Sequence, residues 1–209
     1  QEILEITKIH SIAGALLNKD GFIGTRPFRA PHHGISDVAL IGGGSIPKPG
    51  EISLSHYGVL FLDELPEFSR KALEALRQPL EDNLICISRV KGTMVFPACF
   101  ILAAALNPCP CGNYFNPQKP CRCNPAKIRN YLGKISGPLL DRIDIHIEVP
   151  QVKYRELSET KDAESSQAIR RRVEDARAIQ RERFGSIGIL CNSQMQGKLI
   201  KKYCPLDKG

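Results

Sequence analysis

Asp63 and Glu64 stand side by side where a short apolar run, Val59 to Leu62, ends within Gly58-Val-Leu-Phe-Leu-Asp-Glu-Leu-Pro-Glu-Phe68. An apolar run this short, ending in charge and followed by proline, predicts a fully buried strand of a parallel sheet. Ligands of open α/β sheets collect at the carboxyl ends of such strands. Two adjacent carboxylates there suit nucleotide hydrolysis: Asp63 can hold Mg²⁺ against the phosphates, and Glu64 can orient or polarise a water. A buried strand running into an acidic helix N-terminus gives the same pattern, because carboxylates favour that end of the helix dipole.

Asn107 ends a second apolar run, Cys99 to Leu106, in the position that Asp63 holds in the first. In a nucleotide-hydrolysing sheet an asparagine there hydrogen-bonds the terminal phosphate of ATP or the attacking water; as bare sequence, Asn107-Pro108 is a turn signal. Arg142, between Asp141 and Asp144 and just before a predicted strand over 143–149, has two readings. It is either a salt-bridged surface residue or an arginine finger, whose planar guanidinium neutralises charge on a transferring phosphoryl group. A phosphate-binding loop needs GxxxxGK[ST], and the nearest imitation is Gly42-Gly-Gly-Ser-Ile-Pro-Lys48-Pro49. Proline flanks the lysine on both sides and Pro49 replaces the Ser/Thr ligand of Mg²⁺, so this stretch predicts a loop or hairpin turn. Either the chain is not an ATPase, or it is a segment of one.

Four of the eight cysteines are grouped, as Cys109-Pro-Cys111 and Cys121-Arg-Cys123, in a loop rich in Pro, Gly and Asn. Four thiolates around one Zn²⁺ would satisfy its tetrahedral sulfur shell, although the pairs are tighter than the usual CxxC. The other readings are a reduced, metal-free loop or two disulfides. Cys86, Cys99, Cys191 and Cys204 read as ordinary buried thiols.

The elements that must position these groups follow from periodicity. Residues 2–17 predict an amphipathic helix that begins directly after Gln1, as in an excised segment, and 20–57 is a long Gly/Pro-rich stretch of the kind that carries a functional insertion. The adjacent His32 and His33 point in opposite directions on an extended chain, which argues against a joint metal site. Ser69 to Leu80 predicts a helix with Ser69 as N-cap and Leu73, Leu76 and Leu80 on one face. Leu84 to Phe96 predicts a β-hairpin with a basic tip at Arg89 and Lys91, and 125–136 a short basic helix. Beyond a polar linker, Ser166 to Phe184 places Ile169, Val173, Ala176, Gln180 and Phe184 on one face among arginines.

Composition is that of an ordinary globular protein, with 42% hydrophobic and 24% charged residues. No apolar run reaches the length of a membrane span and no signal peptide is present, which predicts a cytoplasmic protein with no membrane partner. The net charge is +7, and 151–209 carries thirteen basic against eight acidic residues. Clustered basic charge suits a polyanion such as nucleic acid, or simply a solvated helix face.

Taken in order, Arg26-Pro-Phe-Arg-Ala-Pro-His-His33, Lys48-Pro-Gly-Glu-Ile-Ser53, the Gly58–Phe68 run, Ala105-Leu-Asn-Pro-Cys-Pro-Cys-Gly112 and Gly137-Pro-Leu-Leu-Asp-Arg-Ile-Asp144 resemble the magnesium-chelatase-related AAA+ proteins of the ComM (YifB-like) group. The resemblance covers nearly the whole chain. It implies an α/β P-loop NTPase core over 1–150, in part, with a helix-2 insert at 26–57 and a pre-sensor-1 hairpin at 84–97. A linker and the start of a helical lid would occupy 151–209. On the same basis Asp63 and Glu64 match Walker B, with Asp63 on Mg²⁺; Asn107 matches sensor 1, and Arg142 the finger that completes a neighbour's site. The Walker A lysine would lie upstream of Gln1 and the sensor 2 arginine beyond Gly209. The parent protein would be a ring-forming, hexameric, ATP- and Mg²⁺-dependent motor on DNA, with a branch-migration or helicase role in natural transformation. The rivals are a metal-chelatase motor subunit and an inactive, zinc-stabilised nucleic-acid-binding module.

Overall fold

In the computed structural model, which describes residues 1–16, 21–89, 92–149, 164–185 and 187–205, the strands in chain order are β1 (Phe28–Arg29), β2 (Gly42–Gly43), β3 (Lys48–Pro49), β4 (Val59–Leu62), β5 (Leu84–Arg89), β6 (Gly92–Pro97) and β7 (Ile101–Ala104). All lie in the first of two units, Gln1–Gln151; the second is Val152–Gly209.

The central sheet is parallel, in the order β1-β4-β7. Val59 pairs with Phe28 on one side and Ile101 on the other, and the second ladder runs on to Leu62 opposite Ala104. Leu60 and Leu62 are wholly buried, each contributing about 1.5–3 kcal/mol by leaving water. The opposite face is only partly covered, by Phe61 stacked on Phe28 at 6.3 Å, so the expected burial holds on one face. Backbone closeness at the head of β4 requires glycine: a Cβ on Gly58 would lie 1.9 Å from the Pro27 carbonyl oxygen.

Two strand expectations change. Among the described residues β7 is an edge strand and shorter than the apolar run 99–106, with Ile101 68% exposed. Residues 143–149 keep the alternation of a strand but pair with nothing described, leaving Ile145, Ile147 and Val149 exposed. Alternation is a side-chain pattern; a strand also needs a ladder.

The Gly-rich stretch is a hairpin, as its prolines predict, with Gly42 opposite Pro49 and Gly43 opposite Lys48. Gly42 has φ 107°, and a Cβ there would meet the Lys48 carbonyl oxygen at 2.5 Å. Lys48 is thus a strand residue, not a phosphate-loop lysine. Ser69 caps its helix by accepting the Ala72 N–H at 3.0 Å. The predicted single helix is two, Arg70–Ala75 and Arg77–Asp82, joined at Leu76. Pro79 has no N–H to offer the Ala75 carbonyl, which explains the interruption. Leu73 and Leu76 pack with Ile85, Ile87 and Phe96 of the β5–β6 hairpin in the core. That hairpin is in register from Leu84–Pro97 to Arg89–Gly92. Val90 and Lys91, at its tip, lie outside the described residues.

The first helix, Glu2–Ala13, stops earlier than expected because Gly14 turns left-handed at φ 75°. In the second unit Ser165 caps Ser166–Phe184, yet of the predicted apolar face only Phe184 is buried. It meets Tyr203 of the Lys198–Tyr203 helix edge-on at 5.8 Å, while Ile169 and Val173 stay exposed. The linker proposed over 151–165 falls mostly outside the described residues.

A buried histidine ties the N-terminal helix to the sheet. His56 accepts the Cys99 N–H at Nδ1 (3.0 Å) and reaches Glu5 through Nε2 (3.4 Å). Burial pushes its pKa down, against the smaller upward pull of Glu5. A depressed imidazole pKa means that the unfolded chain takes up the proton first, so the stability this group contributes is full above pH about 6.5 and is lost as pH falls below it. Thermal unfolding should therefore show a midpoint that drops between pH 7.5 and 5.5. His56→Asn, which presents an oxygen to the Cys99 N–H without titrating, should flatten that drop; an unchanged pH profile would contradict the assignment.

Candidate functional site

At the carboxyl edge of the sheet the β4 and β7 chains stay joined past the strand ends. Ala105 donates its N–H to the Leu62 carbonyl and Leu65 donates to the Ala105 carbonyl, both at 3.0 Å. This places Asp63 and Glu64 on one chain and Asn107 on the next along a common edge, all three exposed. Glu64 is left-handed (φ 53°, ψ 47°), a conformation that costs a residue with a Cβ about 1–2 kcal/mol. The Asp63 carboxylate accepts the Glu64 N–H at 2.9 Å, and Leu65 and Pro66 are buried immediately after. Local bonding and an apolar anchor together hold the acidic pair outward.

Two residues that sequence reasoning did not assign join this edge. His33 Nε2 lies 3.3 Å from Glu64 Oε2. Its ring is 4.0 Å from that of His32, which contradicts the expectation that the two side chains point apart. The chain turns here, with His32 Nδ1 accepting the Gly34 N–H at 3.0 Å, so the alternation of an extended strand does not apply. Tyr131, on the helix Pro125–Leu132 capped by Asn124, is buried near this edge. Its pKa is raised, by burial first and then by the charges of Glu67, Glu64 and Cys109. The His33 contact has no sequence signal, since it joins residues 31 positions apart.

Arg142 does not reach this edge in the chain. It pairs with Glu81 through Nη2 and Nε, and donates from Nη1 to the Pro138 carbonyl at 2.6 Å. The acid that holds it is Glu81, not Asp141 or Asp144, and the pair lowers the Glu81 pKa. The basic hairpin tip is represented by the backbone of Arg89 alone, paired with Gly92.

Cys109, Cys111, Cys121 and Cys123 come together, their sulfurs all within 4.8 Å of one another. Backbone N–H groups of Asn113 and Arg122 point at Cys111 and bring its pKa down to about 6. The Cys123 N–H donates to Cys121, but lost solvent and the neighbouring Cys111 and Cys109 carry the Cys121 pKa up to about 12. None of the eight cysteines is in a disulfide; Cys86 and Cys204 are exposed and Cys99 and Cys191 half-buried, contrary to the expectation of burial for these four.

The chain matches the family described as "Magnesium chelatase, subunit ChlI" over residues 1–157, and "Magnesium chelatase, subunit ChlI C-terminal" over 163–209. Competence protein ComM of Haemophilus influenzae is 48% identical over 207 residues, 99% of this chain and 39% of that protein. The uncharacterized protein YifB of Escherichia coli is 45% identical over 183 residues, 87% of this chain and 35% of that protein. A solved structure of NtrX from Brucella abortus in complex with ATP superposes with a TM-score of 0.38 and 19% identity, over 56% of this chain and 23% of that one. This chain belongs to the ComM- and YifB-like branch of the magnesium-chelatase-related AAA+ family. Its α/β sheet is part of that core, and it spans about two-fifths of the relatives' length. Among the described residues no helix is long and apolar enough to cross a membrane.

Proposed function

We propose that this chain supplies the hydrolytic edge of an ATP- and Mg²⁺-dependent ring motor that acts on DNA. The observation that carries the reading is the acidic pair Asp63-Glu64 beside Asn107, on adjacent parallel strand ends of a sheet belonging to this family. Asp63 offers hard carboxylate oxygens of the kind Mg²⁺ takes, and Mg²⁺ bound with ATP would neutralise phosphate charge there. Glu64 orients the attacking water. Asn107 has an amide to donate to the terminal phosphate or that water. Arg142 acts on nucleotide held by the adjacent subunit, leaving Glu81 to do so, because a planar guanidinium matches phosphoryl oxygens as well as a carboxylate. The sequence carries no GxxxxGK[ST], so this edge is one part of a complete site.

We take this motor to be a homo-oligomeric, hexameric ring in the cytoplasm that moves DNA branches or unwinds duplex during uptake of transforming DNA; the closeness to a protein named for competence supports the DNA-uptake part of that reading. The family description also admits a motor subunit of a metal chelatase, but the 48% identity over 99% of the chain favours the DNA reading. Arg89 and Lys91, at the tip of the β5–β6 hairpin, are the candidates for phosphate contact in the ring's channel.

In the full-length protein Glu64→Gln should retain ATP binding and lose turnover; retained turnover would remove Glu64 from the mechanism. Replacing Arg89 and Lys91 together by alanine should weaken DNA binding and flatten its salt dependence by a slope of up to about 2, one released counterion per phosphate contact. An unchanged slope would return both residues to ordinary solvated surface.

A further inference from the structure

We infer that Cys109, Cys111, Cys121 and Cys123 form a structural Zn²⁺ site that fixes the loop carrying Asn107. The geometry is that of a metal shell with its ligands already in place. Cys109 Sγ lies 3.4 Å from Cys111 Sγ and 3.7 Å from Cys121 Sγ, and Cys111 and Cys121 are 3.7 Å apart. Four sulfurs on a tetrahedron around Zn²⁺, with Zn–S near 2.3 Å, stand about 3.8 Å from each other. A disulfide would bring one pair to about 2.0 Å; here none is bonded. The fourth ligand, Cys123, completes the group within 4.8 Å.

The donor set selects the ion. Four thiolates with no oxygen donor exclude Mg²⁺ and Ca²⁺ and suit zinc. A closed S₄ shell leaves no position for water, so the site is structural rather than catalytic. Each thiol that binds releases its proton.

Its place in the chain gives the ion a role. Cys109 is buried two residues after Asn107. Gly112 turns the chain back at φ 76°, so that a Cβ there would lie 3.9 Å from Asn107 Oδ1. The second pair, Cys121 and Cys123, leads directly into Asn124, the cap of the helix Pro125–Leu132. One ion thus closes the loop that Asn107 begins and that helix ends.

Elemental analysis of the full-length protein, purified without chelator, should find about one zinc per chain, a result that does not depend on ATP turnover. Removing the metal with a chelator should raise amide hydrogen exchange across 107–124 while β4 stays protected, and Zn²⁺ should restore the protection. Co²⁺ in its place should give the thiolate charge-transfer and tetrahedral d–d bands of an S₄ site, absent in Cys111→Ser/Cys121→Ser. Metal-free protein with four titratable thiols, a disulfide in the loop, or iron in place of zinc would each overturn the proposal. Exchange that is unchanged after zinc removal would overturn the role assigned to the ion.

Discussion

The parallel pairing of β4 on both sides is the constraint on which the rest of the molecule depends. Its two ladders and the burial of Leu60 and Leu62 fix where the strand ends. A strand that is apolar and doubly paired can change direction only once it leaves the sheet, so the first polar residues, Asp63 and Glu64, fall at its carboxyl edge. The continued bonds from Leu62 and Leu65 to Ala105 make the neighbouring chain leave in step, which brings Asn107 to the same edge. A register slip of one residue would put Asp63 in the core face and bury an uncompensated charge.

Around this edge the chain uses long-range contacts that oppose its local preferences. Glu64 adopts a left-handed backbone that the Asp63 carboxylate and the buried Leu65-Pro66 pair sustain. Conformations of this kind are found at functional sites because surrounding structure can over-determine them. His33 then approaches from a different segment, onto the Glu64 carboxylate. Glu64 is therefore held by a partner from outside its own turn, while Asp63 is held within the turn by the Glu64 N–H.

What could be read from sequence follows the range of the interaction. The Asp63-Glu64 strand end, the Gly42–Pro49 hairpin, the Ser69 cap and the β5–β6 hairpin are set by residues within a few positions of one another, and each was legible. The clustering of the four cysteines was legible too, because two CxC pairs in one loop can scarcely avoid each other. By contrast, the contact of Arg142 with Glu81 spans 61 positions, and that of His33 with Glu64 joins a loop to a strand end. No local pattern encodes either. The apolar alternation at 143–149 and most of the apolar face of Ser166–Phe184 are over-read for the opposite reason: pattern gives a side chain's preference for burial, while burial itself needs a partner surface, and among the described residues 143–149 has none and the helix has one only at Phe184, against Tyr203.

The central claim is that this edge hydrolyses ATP only when a neighbouring copy contributes Arg142. It is tested most directly by subunit mixing in the full-length protein. Arg142→Ala and Glu64→Gln rings should each be inactive alone, one lacking the arginine and the other the water-orienting carboxylate. When the two are mixed and co-assembly is verified, some interfaces join an intact Glu64 to an intact neighbouring Arg142, and ATP turnover should return in part. Mixed rings that assemble and remain inactive would contradict the account and leave Arg142 as the intrachain partner of Glu81.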